Sequence, residues 1–307
     1  MASFSHVPEG PFSLAESATF GFGQRHETTY DGTMRLAFCV DGWQAQVGVA
    51  VTQDQAGVVH GEITSGAGDP DLAAVATQVA RVLSLDHDAR GYVAVGERDP
   101  VIRRLLAAAP GLRPPLFYSP YEAAFWAVLS SRRPRNVAET WRRKIAAGAG
   151  EPIEVAGTAM LSLPTPATIT SVGPAGLVKA AGIEHTRAER LCGVADAALA
   201  GKLEADGLAA MDPDAARRHL RAIPGIGPFY ADLVLLRSTG VTNVMPVNEP
   251  RLLGLLGELY GIGALATPDQ AKKLAETWRP WRTWVAVLIR AAGGRVLGRA
   301  KGPMDPP

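Results

Sequence analysis

Strand-like and helical hydrophobic patterns occupy different parts of the chain. Three segments rich in β-branched and aromatic residues predict strands, at residues 34–40, 43–52 and 57–64. Asp41-Gly42, between the first two, predicts a two-residue hairpin turn. A helical pattern then begins at Asp69-Pro70, where Asp69 is the expected N-cap and Pro70 the first helical residue. This first part therefore predicts an antiparallel sheet with helices packed on it.

From residue 116 onward the pattern is helical. A polar N-cap followed by proline, which is typical of helix starts, recurs at Ser119-Pro120, Thr165-Pro166, Asp212-Pro213 and Thr267-Pro268. The proline-rich residues 110–115 predict a linker. We therefore expect an α+β fold with an N-terminal α+β domain at 1–115, a helical domain at 116–300 and a tail at 301–307.

Composition narrows the class of protein. Apolar residues make up 47% of the chain, which is enough for a sizeable core, and no stretch approaches a membrane span. The N-terminus has no signal-peptide pattern, so we expect a cytoplasmic protein. Cys39 and Cys192 are expected to be free thiols and are too few for a four-thiolate cluster. The six histidines show no metal-ligand spacing, so we predict no metal cofactor of that kind.

Charge is distributed unevenly although the net charge is only +1. Residues 1–115 carry 8 Lys and Arg against 13 Asp and Glu, whereas residues 116–307 carry 23 against 17. A polyanion would be attracted to the second part and not to the first. A chance asymmetry of solvated faces would produce the same count.

Residues 220–234 contain a helix, a tight turn and a second helix. The first helix is expected to end near Ala222, the turn is Pro224-Gly225-Ile226-Gly227, and the second helix begins at Pro228. Gly225 can adopt positive φ, and Gly227 has no side chain to block an approaching phosphate. The turn amides and the second helix N-terminus then form an anion site, while Ile223 and Ile226 hold the hairpin to the core. An ordinary helix–turn–helix with glycines for geometry is the alternative.

This pattern resembles the DNA-binding hairpin of the helix-hairpin-helix DNA glycosylase superfamily. The likeness covers about residues 11–300 and includes residues 119–129, 182–189 and 278–282. The N-terminal domain, with residues 83–86 and Asp99-Pro100, resembles the 3-methyladenine-DNA glycosylase II type. The resemblance implies a monomer that acts on double-stranded DNA and needs no cofactor. Carbonyls of the hairpin turn can hold a monovalent cation in that family.

The resemblance also implies a monofunctional glycosylase that removes alkylated or otherwise damaged bases in base excision repair. Glu249 aligns with the catalytic Asp of the family, and Pro250 predicts a helix start that favours an anion there. Glu reaches roughly 1.5 Å further than Asp, and misplacing a catalytic group by about 1 Å can cost about 10²-fold in rate. Glu249 is thus either the catalytic acid or only a helix N-terminal acid.

Phe229 stands where bifunctional relatives carry the Schiff-base lysine, so lyase activity by that route is excluded. Phe229 can stack on a flipped base, or it can be buried between hairpin and core. The expected base pocket is Phe229, Tyr230, Ser131 and Arg290. The expected DNA contacts are Pro224, Gly225, Ile226, Gly227, Arg132 and Arg251, with Arg237 and Arg282 as further candidates for phosphate contacts.

Several positions depart from the family pattern. Ser131 and Arg132 replace a Gln and an apolar wedge, and Arg290 replaces a pocket Trp. These changes keep open a catalytically weakened or inactive protein that binds damaged or distorted DNA, or a general interaction scaffold. If Glu249 is catalytic, it should point into a cleft beside the hairpin, and not into solvent or an arginine pair. Trp278 and Trp281 are expected in the core.

Overall fold

The computed structural model describes residues 2–20, 30–67, 70–150, 152–263 and 265–299. The expected tail at 301–307 and the expected N-cap Asp69 lie outside these residues. Four strands form an antiparallel sheet in the order β1-β4-β3-β2. They are β1 (Ser3–His6), β2 (Met34–Cys39), β3 (Gln46–Gln53) and β4 (Val59–Ala67). The three predicted strands are confirmed, and β1, with only four residues, carries too short a pattern to predict.

The turn between β2 and β3 differs from the prediction. The Val40 amide donates to the Ala45 carbonyl at 2.8 Å, so residues 41–44 form the turn and the two-residue hairpin is wrong. Trp43 adopts a left-handed conformation, with φ of 66°. Its ring packs edge-on against Tyr121, with the centroids 5.3 Å apart. Contact of this large side chain with the helical part overrides the local Asp-Gly signal.

Four helices accompany the sheet: α1 (Leu14–Phe20), α2 (Leu72–Val82), α3 (Val95–Arg98) and α4 (Pro100–Ala108). The second begins two residues later than predicted, because Asp71 is its N-cap and accepts from the Ala73 amide at 3.0 Å. Val75, Val79 and Val82 form its buried face and join the inward side chains of the strands in one apolar cluster.

The second part of the chain is mostly helical, and all four predicted starts are confirmed. A short hairpin, β5 (Ile153–Val155) and β6 (Thr158–Met160), was not predicted because three-residue strands show no measurable periodicity. It packs on Ala50 of the sheet.

The helices of this second part are α5 (Pro120–Ser130), α6 (Arg135–Ala149), α7 (Pro166–Ala181), α8 (His185–Leu199), α9 (Ala205–Ala210), α10 (Pro213–Arg221), α11 (Pro228–Ser238), α12 (Pro250–Leu259), α13 (Pro268–Ala275) and α14 (Arg282–Val296), with a 3₁₀ turn at Glu276–Trp278.

One apolar cluster joins helices from both sides of residue 115, since α4 packs against α14. Asp99 reinforces this junction. Its carboxylate caps α4 and also accepts from the Tyr260 hydroxyl at 2.5 Å and the Trp278 indole at 3.0 Å. The expected core positions of Trp278 and Trp281 are confirmed.

The division of the chain into two domains at residue 115 stays a prediction. Among the described helices, none combines the length and hydropathy that a bilayer span requires.

Candidate DNA interface and base pocket

The hairpin has the predicted geometry. α10 ends at Arg221 and α11 starts at Pro228, and Gly225 has a φ of +98°. A Cβ on Gly227 would meet nothing within 4 Å, so this face of the turn is open to a ligand. Ile223 and Ile226 are buried and hold the turn to the core. No side chain caps the N-terminus of α11, so its first amides face outward and can bind an anion.

Arg190 lies against the hairpin and was missed by the sequence analysis. A Cβ on Gly225 would come within 3.1 Å of the Arg190 Cδ atom and 3.2 Å of Val128 Cγ2. Arg190 is exposed, which makes it a candidate phosphate contact beside the turn. Its position on α8 carries no local signal, because only the packing of α8 and α5 brings it to the hairpin.

The loop after α5 carries the predicted residues Ser131 and Arg132. Arg132 is exposed and has a φ of 56°, whereas Ser131 is half-buried. Arg187 on α8 fixes this loop by donating to the carbonyls of Leu129 at 3.0 Å and Ser131 at 3.2 Å. These bonds satisfy carbonyls at the C-terminus of α5 that have no partner within the helix.

Tyr230 and Phe229 open the second hairpin helix. Their rings are half-buried and meet edge-on, with the centroids 5.1 Å apart. The Tyr230 hydroxyl lies 3.2 Å from the Ser130 hydroxyl, so the structure pairs it with the residue before the predicted Ser131. Phe229 keeps part of its surface accessible, as a stacking surface requires.

Glu249 points into the protein and faces an arginine. It stands just before α12, and its side chain is 16% exposed. The Arg290 Nη1 atom of α14 lies 3.0 Å from Glu249 Oε1. The Oε1 atom is shielded from solvent and accepts no hydrogen bond. The contact with Arg290 is therefore an ion pair whose atoms lack the geometry of a hydrogen bond. The expectation that a catalytic Glu249 would avoid an arginine pair is therefore not met.

Burial and the neighbouring arginines have opposite effects on the pKa of Glu249. Burial raises the pKa of its carboxyl group above the ordinary value, and this effect is larger than the opposing attraction of Arg290, Arg237 and Arg251. The carboxylate is thus poorly hydrated but surrounded by positive charge. Such an anion interacts strongly with any positive charge that develops next to it.

A buried carboxylate on α11 holds the segment that leads into Glu249. Asp232 is only 4% exposed, and it accepts from Arg217 Nε at 2.6 Å and from Asn248 Nδ2 at 2.9 Å. Because Asp232 lies one turn beyond Phe229, these bonds bring residue 248 to the helix that carries this predicted pocket residue. The sequence analysis missed this network, although an Asp within the apolar face of the second hairpin helix is a visible signal.

Some of the arginines predicted to contact phosphates are exposed, whereas others bind groups of the protein itself. Arg237 Nη2 donates to the Pro115 carbonyl at 2.7 Å, and Arg282 Nη2 donates to the Asn243 carbonyl at 2.6 Å. These two side chains therefore hold internal carbonyls. Arg132 and Arg251 are exposed. Their contacts with DNA stay predictions.

In the described part of the chain, no group of three or more His, Cys, Asp or Glu residues is arranged to hold a metal ion. A surface cleft of about 570 Å³ lies between His87, Met211, Asn243 and Arg282. Of the predicted residues it contains only Arg282, a candidate phosphate contact, and it includes neither Glu249 nor any residue of the expected base pocket.

Sequence comparison finds DNA-repair proteins. The chain is 28% identical over 218 residues to a probable bifunctional transcriptional activator/DNA repair enzyme AlkA of Mycobacterium tuberculosis, covering 70% of this chain but only 42% of that protein. It is 30% identical over 190 residues to DNA-3-methyladenine glycosylase 2 of Escherichia coli, covering 61% and 62%. The chain thus spans less than half the length of the mycobacterial relative. No protein-family model matches the chain.

Structural comparison extends the likeness over nearly the whole fold. A 3-methyladenine DNA-glycosylase from Archaeoglobus fulgidus superposes with a TM-score of 0.76 at 20% identity, covering 94% of this chain and 97% of that one. MBOgg1 in complex with a low-affinity DNA ligand gives 0.72 at 18% identity, covering 97% and 96%. The sequence relatives and this shared fold together support a place for the chain in the helix-hairpin-helix DNA glycosylase superfamily, with the 3-methyladenine-DNA glycosylase II type as the type it is similar to.

Proposed function

We propose that this protein is a monofunctional DNA glycosylase that removes damaged bases from duplex DNA. The observation that carries the proposal is the position of Glu249, a mostly buried carboxylate whose Oε1 atom accepts no hydrogen bond. Buried acceptors in native proteins normally accept hydrogen bonds, so an oxygen whose one printed contact is an ion pair with Arg290 calls for an explanation. A bound nucleotide or its attacking water would supply the hydrogen-bond donor.

The hairpin positions the DNA for this chemistry. The outward amides at the start of α11 would bind one backbone phosphate, a contact that fixes register without reading sequence. Turn carbonyls could hold a monovalent cation that assists the contact. Exposed Arg132, Arg190 and Arg251 would add salt-dependent attraction. We infer double-stranded DNA as the partner of a monomeric protein.

Base removal requires the damaged nucleotide to leave the helical stack. Phe229 would then stack on the flipped base while Glu249 faces the sugar. As the bond between sugar C1′ and the base nitrogen breaks, its electron pair moves to the base and positive charge develops on the sugar. Glu249 would stabilise that charge, and water would add to C1′ because position 229 offers no amine nucleophile. The names of the sequence relatives indicate alkylated purines as one class of base to test.

The test is single-turnover base release from damaged duplex DNA by the wild type and by Glu249→Gln. We expect the substitution to lower the rate by about 10²–10³-fold, the range for loss of one preorganised electrostatic group. Glu258→Gln, which removes an exposed acid from the same helix, is the matched control and should keep the wild-type rate.

The ion pair between Glu249 and Arg290 is the specific observation in favour of a second function, recognition of damaged DNA without catalysis. Tight binding to damaged duplexes with no base release from any of them would support that function and contradict the proposed one. Equal release by the wild type and Glu249→Gln would keep the glycosylase but remove Glu249 as its catalytic acid.

A further inference from the structure

Three side chains on one side of α8 contact both the hairpin turn and the loop that follows α5. They belong to Glu184, Arg187 and Arg190, at intervals of three residues, and Glu184 is the N-cap of the helix. The first two bind the loop, and the third lies against Gly225 of the hairpin. The helical rise places the first and the last about 9 Å apart along the axis. α8 therefore holds the loop and the turn at a set distance from each other.

Every nitrogen of the Arg187 guanidinium donates a hydrogen bond. Nη1 donates to the carbonyls of Val128 and of Leu129, the latter at 3.0 Å. Nη2 donates to the Ser131 carbonyl at 3.2 Å, and Nε donates to the Glu184 carboxylate at 3.0 Å. The Arg187 side chain is only 14% exposed. A planar fork with several donors can serve all these acceptors at once, which a lysine cannot do.

Arg132, at the tip of this loop, is held from both sides. The residue before it accepts from Arg187, and the residue after it, Arg133, pairs with Glu184. The guanidinium groups of Arg187 and Arg133 lie 5.3 Å and 5.8 Å from the ring centroid of Trp141. Arg132 itself is exposed and has a φ of 56°. A left-handed conformation of a residue other than glycine persists only where surrounding contacts hold it. These contacts thus fix the backbone of the tip while the Arg132 side chain projects outward.

We propose that Arg187 is a positioning residue for base flipping, because it holds the loop so that the Arg132 side chain enters the duplex as the damaged nucleotide leaves. The inference rests on the proposed function and adds the step that precedes bond cleavage. Leaving the stack costs free energy, since pairing and stacking are lost. A loop that is ordered in the free protein loses little further conformational entropy when its side chain fills the vacated space. A loop released from Arg187 would have to be ordered during flipping.

The experiment compares two duplexes that contain N7-methylguanine opposite either cytosine or an abasic site, with 2-aminopurine as the next base on the damaged strand. Opposite an abasic site the damaged base has no pairing partner, so flipping it requires less free energy. The rise in 2-aminopurine fluorescence reports the loss of stacking, and single-turnover base release reports the chemical step. Fluorescence anisotropy of an end-labelled duplex measures affinity.

We expect Arg187→Met to flip and release the base opposite cytosine about 10- to 10²-fold more slowly than the wild type, the scale for a misplaced group. Opposite the abasic site the deficit should shrink to a few-fold, which a general loss of structure would not produce. Arg187→Lys keeps the charge without the planar fork and should lie between the two. Affinity for both duplexes should stay within a few-fold of the wild type, since the hairpin is unchanged.

Two further variants protect this test. Arg132→Asn shortens the projecting side chain with a residue that tolerates a left-handed backbone, so it should fold normally and show the same dependence on the opposite base. Arg295→Met is the matched control for loss of a structural arginine. Arg295 also donates to a carbonyl at the end of a helix, Ala108 of α4 at 2.8 Å, and pairs with Glu16 at 2.9 Å. This control should leave the ratio of rates between the two duplexes unchanged.

The possible failures are distinct. Equal deficits of Arg187→Met on both duplexes, or no deficit on either, would overturn the role of Arg187 while the glycosylase stands. A wild type that releases no base, but whose fluorescence rise is slowed by Arg187→Met only opposite cytosine, would contradict the glycosylase and leave the positioning role in place. A wild type with neither release nor a fluorescence rise would contradict both.

Discussion

The hairpin and the candidate base pocket differ in how closely they follow the pattern of the family that the chain resembles. In the hairpin, Gly225 has positive φ, Gly227 is open, and the two isoleucines are buried, as the sequence predicts. In the candidate pocket, Glu249 faces Arg290, at positions where the resemblance leads us to expect an Asp and an aromatic residue. Phosphate binding at such a hairpin would depend on backbone groups that tolerate few changes, whereas base recognition would depend on side chains that can change with the substrate.

This contrast implies that DNA binding and base release can be separated by mutation. Changes at the pocket should affect the chemical step and leave binding nearly unchanged, and changes at the hairpin should do the reverse. The Glu249→Gln variant is the strongest test on the pocket side. We expect progressively smaller effects from a change at Asp232, a change at Gly227 and a change of pH.

Asp232→Asn should have the largest effect among these. The change removes the charge that Arg217 faces and weakens the bond that holds Asn248 beside α11. A shift of the neighbouring Glu249 by about 1 Å would lower single-turnover base release by up to about 10²-fold. Binding to undamaged duplex DNA should stay within a few-fold of the wild type.

Asp214→Asn is the matched control for Asp232→Asn, since Asp214 binds the same Arg217 but is 74% exposed. Equal rates for the wild type and Asp232→Asn would show that this network does not position the catalytic loop.

Gly227→Ala should weaken DNA binding by about tenfold, the scale of one hydrogen bond to a charged group. The φ of Gly227 is −85°, so alanine fits without strain, and the new methyl group occupies only the space through which a phosphate would approach. Binding is measured by fluorescence anisotropy, and the rate at saturating protein should be unchanged. Gly193→Ala, another helical-domain glycine with open space at its Cβ, serves as the control. A loss of rate without a loss of affinity would contradict the assignment of the hairpin to binding.

The pH dependence should show the smallest effect. Burial raises the pKa of Glu249, and the carboxylate is the active form, so base release should fall as pH drops through a value above the ordinary 4.5. Arg290 opposes this shift, so Arg290→Met should move the acid limb to higher pH. The linked stability has the opposite sign, because protonation favours the folded state: this contribution is present at low pH and is lost as pH rises through the folded-state pKa. An acid limb at the same pH in both proteins would show that another group controls the profile.

Much of the fold could be predicted because its signals are local. Proline at the first helical position after a polar N-cap marks four helix starts, since each pattern satisfies the unpaired amides of its own helix. The turn at residues 41–44 could not be predicted, because its conformation depends on the packing of Trp43 against Tyr121. Tyr121 belongs to a helix about 80 positions further along the chain. The short strands β5 and β6 could not be predicted for a different reason, because three residues are too few to show an alternating hydrophobic pattern.

The candidate site divides in the same way. The hairpin, the absence of a lysine at position 229 and the presence of an acid at 249 could be read from the sequence, because these features depend on residue type and close spacing. Three sets of contacts became visible with the folded chain: Arg290 faces Glu249, Asp232 holds Asn248, and Arg237 and Arg282 hold internal carbonyls. Each of these contacts joins residues from different elements, and charged side chains choose partners by distance and burial, which no local pattern records.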